Sequence, residues 1–216
     1  MQNEETAAPG VETPADTPAA APTRKRPKPG ERRVQILQAL AAMLEQPGAE
    51  RVTTAALAAR LEVSEAALYR HFASKAQMFE GLIDFIEQSV FTLINQILER
   101  EGATGSQQAA RILVLLVQFA ERNRGMTRVM VGDALVFENE RLQQRMNQFF
   151  DKVEAALRQS LKAAAEGDSS ATPSADAQVR ASLLTAFIVG RLQRFARSGF
   201  KRPPSEHLEA CLSRML

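Results

Sequence analysis

Thr53 and Thr54, then Glu65, Ala66, Ala67, Tyr69, Arg70 and His71, then Lys75, bring hydroxyls, charged groups and small side chains into one short stretch. Their chemistry suits duplex DNA. Hydroxyls beside a helix N-terminus can dock a phosphate, because the orphan amides and the positive dipole end there favour an anion. Tyr69 and Lys75 have the reach for further phosphates, and Arg70, His71 and Glu65 can bond to base edges. Ala66 and Ala67 allow close approach and can touch a thymine methyl.

Such residues work only if two short helices hold them at a steep angle. Thr53 is a helix N-cap, with Leu57, Ala58 and Leu61 giving that helix an apolar face. Glu62-Val63 makes the turn, Ser64 caps a second helix with Glu65 at its positive end, and Leu68 and Phe72 face inward. Ala58 is small where the helices cross. In a helix-turn-helix of this kind the second helix enters the major groove and the first crosses the backbone. Glu62 departs from the pattern. Such turns often pass through positive φ, which costs a residue other than Gly roughly 1 kcal/mol. The competing reading is an ordinary helical hairpin with a solvated polar face.

The 216 residues, 45% of them apolar, can build a core for one large domain or for a small one joined to a larger one. No uncharged apolar run of about 18 residues offers a membrane span. The N-terminus lacks the apolar segment of a signal peptide. Cys211, the single cysteine, has no partner for an internal disulfide, so a reducing cytoplasm is expected. Net charge is +2, unevenly spread: −4 over residues 1–23, +5 over 24–75 and +1 over 76–216. The positive charge gathers on the groove-reading unit and its leader, as a phosphate-binding surface requires.

Along the chain, residues 1–22 have almost nothing to bury and are expected to be disordered. Arg24 to Pro29 reads as a basic, proline-stiffened arm laid on DNA, or else as a solubilising linker. The spacing predicts a first helix over Glu31–Glu45, stopped by Pro47-Gly48. Ser74 caps a long helix whose stripe is Phe79, Leu82, Ile83, Ile86, Val90, Leu93, Ile94 and Ile97. Phe85 points about 120° away from that stripe at about 100° per residue. It either packs on the reader helices beside Met78 or stands exposed as an anchor for a protein partner.

Beyond Gly102–Ser106, the unbroken apolar run Ile112–Val117 predicts a helix buried nearly all round. A short helix is expected over Gly125–Val136 and a long one over Glu138–Glu166, with Leu142, Met146, Phe149, Phe150, Val153 and Leu157 inward. After the loop Gly167–Ser174 comes a helix over Ala177–Arg197, apolar at Val179, Leu183, Leu184, Phe187, Ile188 and Phe195. Ser205 then caps a final one. No segment reads as strand, so the fold class is all-α. The two long helices carry more apolar surface than one cover needs. They pack either within the chain or as half of a four-helix bundle across a two-fold axis.

The reader, the long helix after it and the helical remainder resemble the TetR family of homodimeric DNA-binding regulators. VSEAALYRHFASK, MFEGLIDFIEQS, FAERNRGMTRVMVGDALVFENERLQQRMNQFF and RFARSGFKRPP are similar to its nucleoid occlusion branch, over about residues 31–205. The first 23 residues and the Gly167–Ser174 loop lie outside the resemblance. The chain divides into residues 1–30 as a disordered acidic then basic arm, 31–76 as an N-terminal helix-turn-helix domain and 77–216 as an all-helical dimerisation and partner-binding domain. The resemblance implies a cytoplasmic homodimer on the nucleoid that binds pseudo-palindromic double-stranded DNA, with one dimer or more than one on a site. When DNA-bound, such a protein antagonises assembly of the tubulin-like division protein FtsZ and blocks the septum over the chromosome. Carried over by position, Thr53, Thr54, Tyr69 and Lys75 hold phosphates, and Glu65, Ala66, Ala67, Arg70 and His71 lie in the major groove, with Ser64 counted among the DNA-binding residues. Phe85, Arg122 and Asn123 form the partner surface.

Two other functions are weighed. A ligand-responsive repressor of the same family needs a cavity with a few placed polar groups, and Ile112–Val117 offers almost none. An enzyme needs partners for His71 or His207, and no triad context, metal-ligand spacing, glycine-rich phosphate loop or carboxylate pair occurs. No catalytic residue, metal ligand, cofactor or membrane contact is expected.

Overall fold

The computed structural model describes residues 30–46, 52–167 and 169–216. The expectations for the N-terminal arm and for the Pro47-Gly48 stop fall outside them. Nine α-helices lie among the described residues: α1 Glu31–Leu44, α2 Thr54–Arg60, α3 Glu65–Tyr69, α4 Lys75–Leu98, α5 Gly105–Arg122, α6 Arg124–Met130, α7 Glu140–Gly167, α8 Pro173–Arg197 and α9 Leu208–Met215. A 3-10 turn, Asp133–Leu135, joins α6 to α7. No strand occurs among the described residues.

Side-chain caps set four of the nine helix starts among the described residues, those of α2 to α5. Thr53 accepts from the Ala56 amide, Ser64 from Ala67, Ser74 from Gln77, and Thr104 forms a reciprocal capping box with Gln107. Each bond satisfies an amide that the first turn leaves orphaned. The turn between α2 and α3 does pass through positive φ, at Glu62 with φ 53°.

α5 is the central rod. Ile112, Leu113, Leu116 and Val117 are buried, with Val114 and Leu115 half-buried at the edges of surface grooves. Its start abuts α7, where a Cβ on Gly105 would lie 2.0 Å from the Ser160 carbonyl oxygen. α4 belongs to both ends of the molecule. Its first half seats Gly81 against Phe72 and Leu37, and its second half packs on α5 and α7, with Phe91 edge-on to Phe149 at 5.5 Å. One apolar cluster therefore runs from Ile36 through α4 to Leu212, joining the reader to the helices behind it.

An ion-pair ladder lies along the same seam. Glu80 on α4 meets Arg141 at 2.7 Å, Asp84 and Glu87 meet Arg145 at 2.8 and 2.7 Å, and Glu87 also meets Lys152 at 3.0 Å, the three bases all on α7. Burial works against the Arg145 charge, but its hydrogen bonds and attraction to Asp84 and Glu87 outweigh that and raise its pKa. The half-exposed rungs contribute up to about 1 kcal/mol each.

Several expectations need correction. Leu93 was placed in the buried stripe of α4 but is exposed, and Phe150 on α7 is only half-buried. The helix expected over Gly125–Val136 stops at Met130, because Gly132 takes φ 82° and turns the chain into the 3-10 segment. α8 starts four residues earlier than Ala177, since Pro173 at its first turn brings a preset φ and needs no amide partner. Ser205 does not cap α9. His207 stands at that position, and the Ser205 hydroxyl donates to Glu121 at 2.5 Å.

Candidate nucleic-acid interface

α2 and α3 form the expected helix-turn-helix. Leu57, Ala58, Leu68 and Phe72 are buried beneath it, while Thr53, Ser64, Glu65, Ala66, Tyr69, Arg70 and His71 are exposed and Thr54 and Ala67 half-buried. The described surface thus gathers the polar residues that sequence reasoning placed there. Its internal bonding differs in three respects.

First, the helical part of the reader ends at Tyr69. Arg70 is its C-cap and His71 lies in the following turn, whose amide bonds back to the Leu68 carbonyl at 2.9 Å. Second, Thr54 and Glu65 are not independent, for the Thr54 hydroxyl donates to the Glu65 carboxylate at 2.5 Å. That bond ties the start of α2 to the start of α3. Third, Lys75 is not a free cation. Its ammonium pairs at 2.5 Å with Glu138, in the link between the 3-10 turn and α7, and the two side chains are 27% and 10% exposed. A lysine on a long stem can change partners, so a phosphate would have to draw it away from Glu138.

Two residues of this region were missed. Arg33 of α1 donates to the His71 carbonyl at 3.0 Å and lies over the Phe72 ring at 4.1 Å, clamping the end of the reader onto α1. From sequence, Glu138 reads as the solvated start of a long helix. Both act across distances in sequence (38 residues for Arg33) that no local pattern encodes.

On the far face of α4, Phe85 is 47% exposed whereas Met78 is fully buried, so the packing alternative for Phe85 does not hold. α4 and α5 run antiparallel, Leu93 and Ile97 sharing a groove with Val114, Leu115 and Gln118. That register puts Phe85 and the Arg122-Asn123 corner at the same end of the hairpin. Arg122 is exposed. Asn123 is half-buried and its side-chain amide donates to the Phe119 carbonyl at 2.8 Å, holding the corner between α5 and α6. On α8, Val179 and Leu183 are 69% and 56% exposed, Ala186 is exposed on the same face, and a Cβ on Gly190 would meet nothing within 4 Å.

Among the described residues no helix is long and apolar enough to cross a membrane. No group of three His, Cys, Asp or Glu residues there could hold a metal ion. Cys211 is half-buried, its sulfur accepting from Arg191 at 3.3 Å.

Comparison with known proteins agrees with this geometry. Residues 36–82 match the family model for bacterial regulatory proteins of the tetR family, and residues 106–215 match the SlmA-like model for a tetracyclin repressor-like C-terminal domain. Nucleoid occlusion factor SlmA of Idiomarina loihiensis is 52% identical over 179 residues, which cover 83% of this chain and 90% of that one. The SlmA protein of Vibrio vulnificus is 50% identical over 183 residues, covering 84% and 92%. Among solved structures, the fatty acid degradation regulator FadR of Bacillus halodurans superposes with a TM-score of 0.70 at 13% identity, covering 88% of this chain and 96% of that one. The transcriptional regulator FadR of Bacillus subtilis, in complex with stearoyl-CoA, gives 0.67 at 15% identity, covering 84% and 96%. At those identities the likeness is one of fold. The helix-turn-helix match, the SlmA-like C-terminal match and the half-identical relatives along most of the chain together establish that it belongs to the TetR family, as a member of its nucleoid occlusion factor SlmA group.

Proposed function

We propose that two copies of this chain grip a pseudo-palindromic stretch of chromosomal duplex and, so bound, antagonise assembly of FtsZ, keeping the septum off the nucleoid. As a family member the chain is a DNA-binding regulator that forms dimers, and not an enzyme. The observation that carries the duplex-gripping part of this reading is the reader itself. Its apolar side chains are spent on the core, and Glu65, Ala66, Ala67, Tyr69, Arg70 and His71 are left for a ligand. Ser64, Thr53 and Thr54 lie at helix starts suited to phosphates, with Tyr69 and, once released from Glu138, Lys75. Base-edge contacts fall to Arg70, His71 and Glu65.

The dimer face is the exposed apolar stripe Val179, Leu183, Ala186 and Gly190 of α8, alongside α7. Two such hairpins pack as a four-helix bundle, and the small residues let the backbones approach. The two α3 helices then sit about 34–36 Å apart, one duplex turn. Phe85 and Arg122 form the FtsZ-facing surface, with Asn123 as the corner that holds Arg122 in place. The domains divide near residue 76, α4 acting as the shared beam.

The test is FtsZ polymer sedimentation with this protein, with and without selected duplex DNA. Phe85→Ala keeps the duplex affinity and the melting temperature but loses the DNA-dependent effect on FtsZ. Parallel loss of DNA binding or of stability would return Phe85 to a packing role.

A further inference from the structure

The C-terminal part of the chain is almost neutral as a whole, but two of its segments are not. Residues 121–128 and 194–206 hold seven Arg or Lys and two Glu. Three-dimensional structure brings them together on one aromatic ring. Arg124 and Arg128 of α6 lie 5.9 and 5.3 Å from the centroid of Phe200, and Lys201 and Arg202 follow Phe200 in the turn from α8 towards α9. That turn is held open in an unusual shape. Phe200 has φ 65° after Gly199 at 63°, its ring stands edge-on to Phe195 at 5.0 Å, and the Ser198 hydroxyl accepts from the amides of both Lys201 and Arg202. A bulky residue at positive φ costs free energy, and here the result is a platform under two guanidinium groups.

These cations are not neutralised. Among the described residues none of the seven lies within ion-pair distance of a carboxylate, in contrast to the paired bases along α7. Of the two acids, Glu121 is engaged by the Ser205 amide and hydroxyl. Glu206, the other, is exposed and pairs with none of the seven among the described residues, and Asp133, from outside these segments, lines the same groove as Arg197 without pairing with it. The Arg128 Nε is buried and has no hydrogen-bond partner. A buried donor without an acceptor is costly.

We infer that this surface, α6 with the turn around Phe200, docks an acidic segment of a polypeptide. Two observations favour a peptide over the duplex. The patch is set apart from the reader along α1: α6 touches α1 at Ala41, where a Cβ on Gly125 would meet the carbonyl oxygen, whereas the reader is clamped at Arg33, eight residues away. At 1.5 Å per residue that is about 12 Å along α1. The patch is also continuous through Arg122 with the corner assigned above to a protein partner, although it does not depend on that partner being FtsZ.

The test uses the full chain and a fluorescein-labelled dodecapeptide of glutamate, followed by anisotropy. Arg124→Glu with Lys201→Glu, both side chains exposed, lowers peptide affinity by about tenfold or more while duplex affinity and the melting curve hold. Arg70→Glu in the reader does the opposite. Should charge reversal perturb folding, Arg124→Gln with Arg202→Gln gives a smaller loss in the same direction. Peptide affinity unchanged by both patch variants would overturn the inference. So would a patch variant that loses duplex binding, or binding to vesicles containing anionic lipid, while keeping the peptide.

Discussion

Replacing Glu138 by Gln tests whether Lys75 serves two partners in turn. At 2.5 Å, with an effective dielectric constant of about 20, the raw attraction between the two groups is about 7 kcal/mol. Desolvation of the buried carboxylate and loss of lysine rotamer freedom consume most of it, leaving about 1 kcal/mol net. If a phosphate must first draw Lys75 off Glu138, that 1 kcal/mol opposes DNA binding in each protomer. Glu138→Gln then tightens duplex binding about fivefold per protomer, or roughly 25-fold per dimer, for any sequence. The slope of log affinity against log salt stays as it was, because the same phosphates are neutralised. Lys75→Ala reduces that slope by about two units per dimer. Anisotropy on a labelled duplex at several salt concentrations reads both quantities. The chain has one Tyr and no Trp, so helix ellipticity is the better probe of stability, and Glu138→Gln lowers the melting temperature by about 2–4 °C. The decisive measurement is the double variant. In a Lys75→Ala background the gain from Glu138→Gln should vanish. If it persists there, loss of a negative charge has acted through the overall field, and the exchange of partners is wrong.

Three further outcomes are expected. Gly125→Ala places a methyl 1.9 Å from the Ala41 carbonyl oxygen and forces α6 away from α1. It costs about 3 kcal/mol, and an unchanged melting curve would contradict that packing. Leu183→Glu, with Val179→Glu, gives a folded monomer by sedimentation velocity that loses duplex affinity by orders of magnitude; a persistent dimer would move the two-fold axis elsewhere. Arg33→Gln removes the bond to the His71 carbonyl and the cover over Phe72. Preference for a selected site over random duplex should fall about tenfold with no change in salt slope, whereas a shallower slope would make Arg33 itself a phosphate contact.

The structural features read correctly from sequence share one property: their physics is local. A hydroxyl at Thr53, Ser64 or Ser74 caps the amide three residues on, so the helix starts of the reader follow from neighbouring residues alone. The same holds for the strain at Glu62, forced by the length of the turn. Phe85 was legible as an outlier because one residue off the stripe of a regular helix must point away from it. The choice between packed and exposed was not, since it depends on what else lies nearby.

The sequence by itself determined an all-helical chain, the register of the helix-turn-helix, its outward residue set and the apolar face of nearly every helix, because 3.6-residue periodicity and capping act within one turn. Tertiary structure alone decided what those surface groups are doing. It set Lys75 on Glu138, Thr54 on Glu65, Arg33 on the end of the reader, and two basic segments around Phe200. A charge carries no mark of its partner when that partner is tens of residues away, and only the packing of the helices that bear them brings the two within reach.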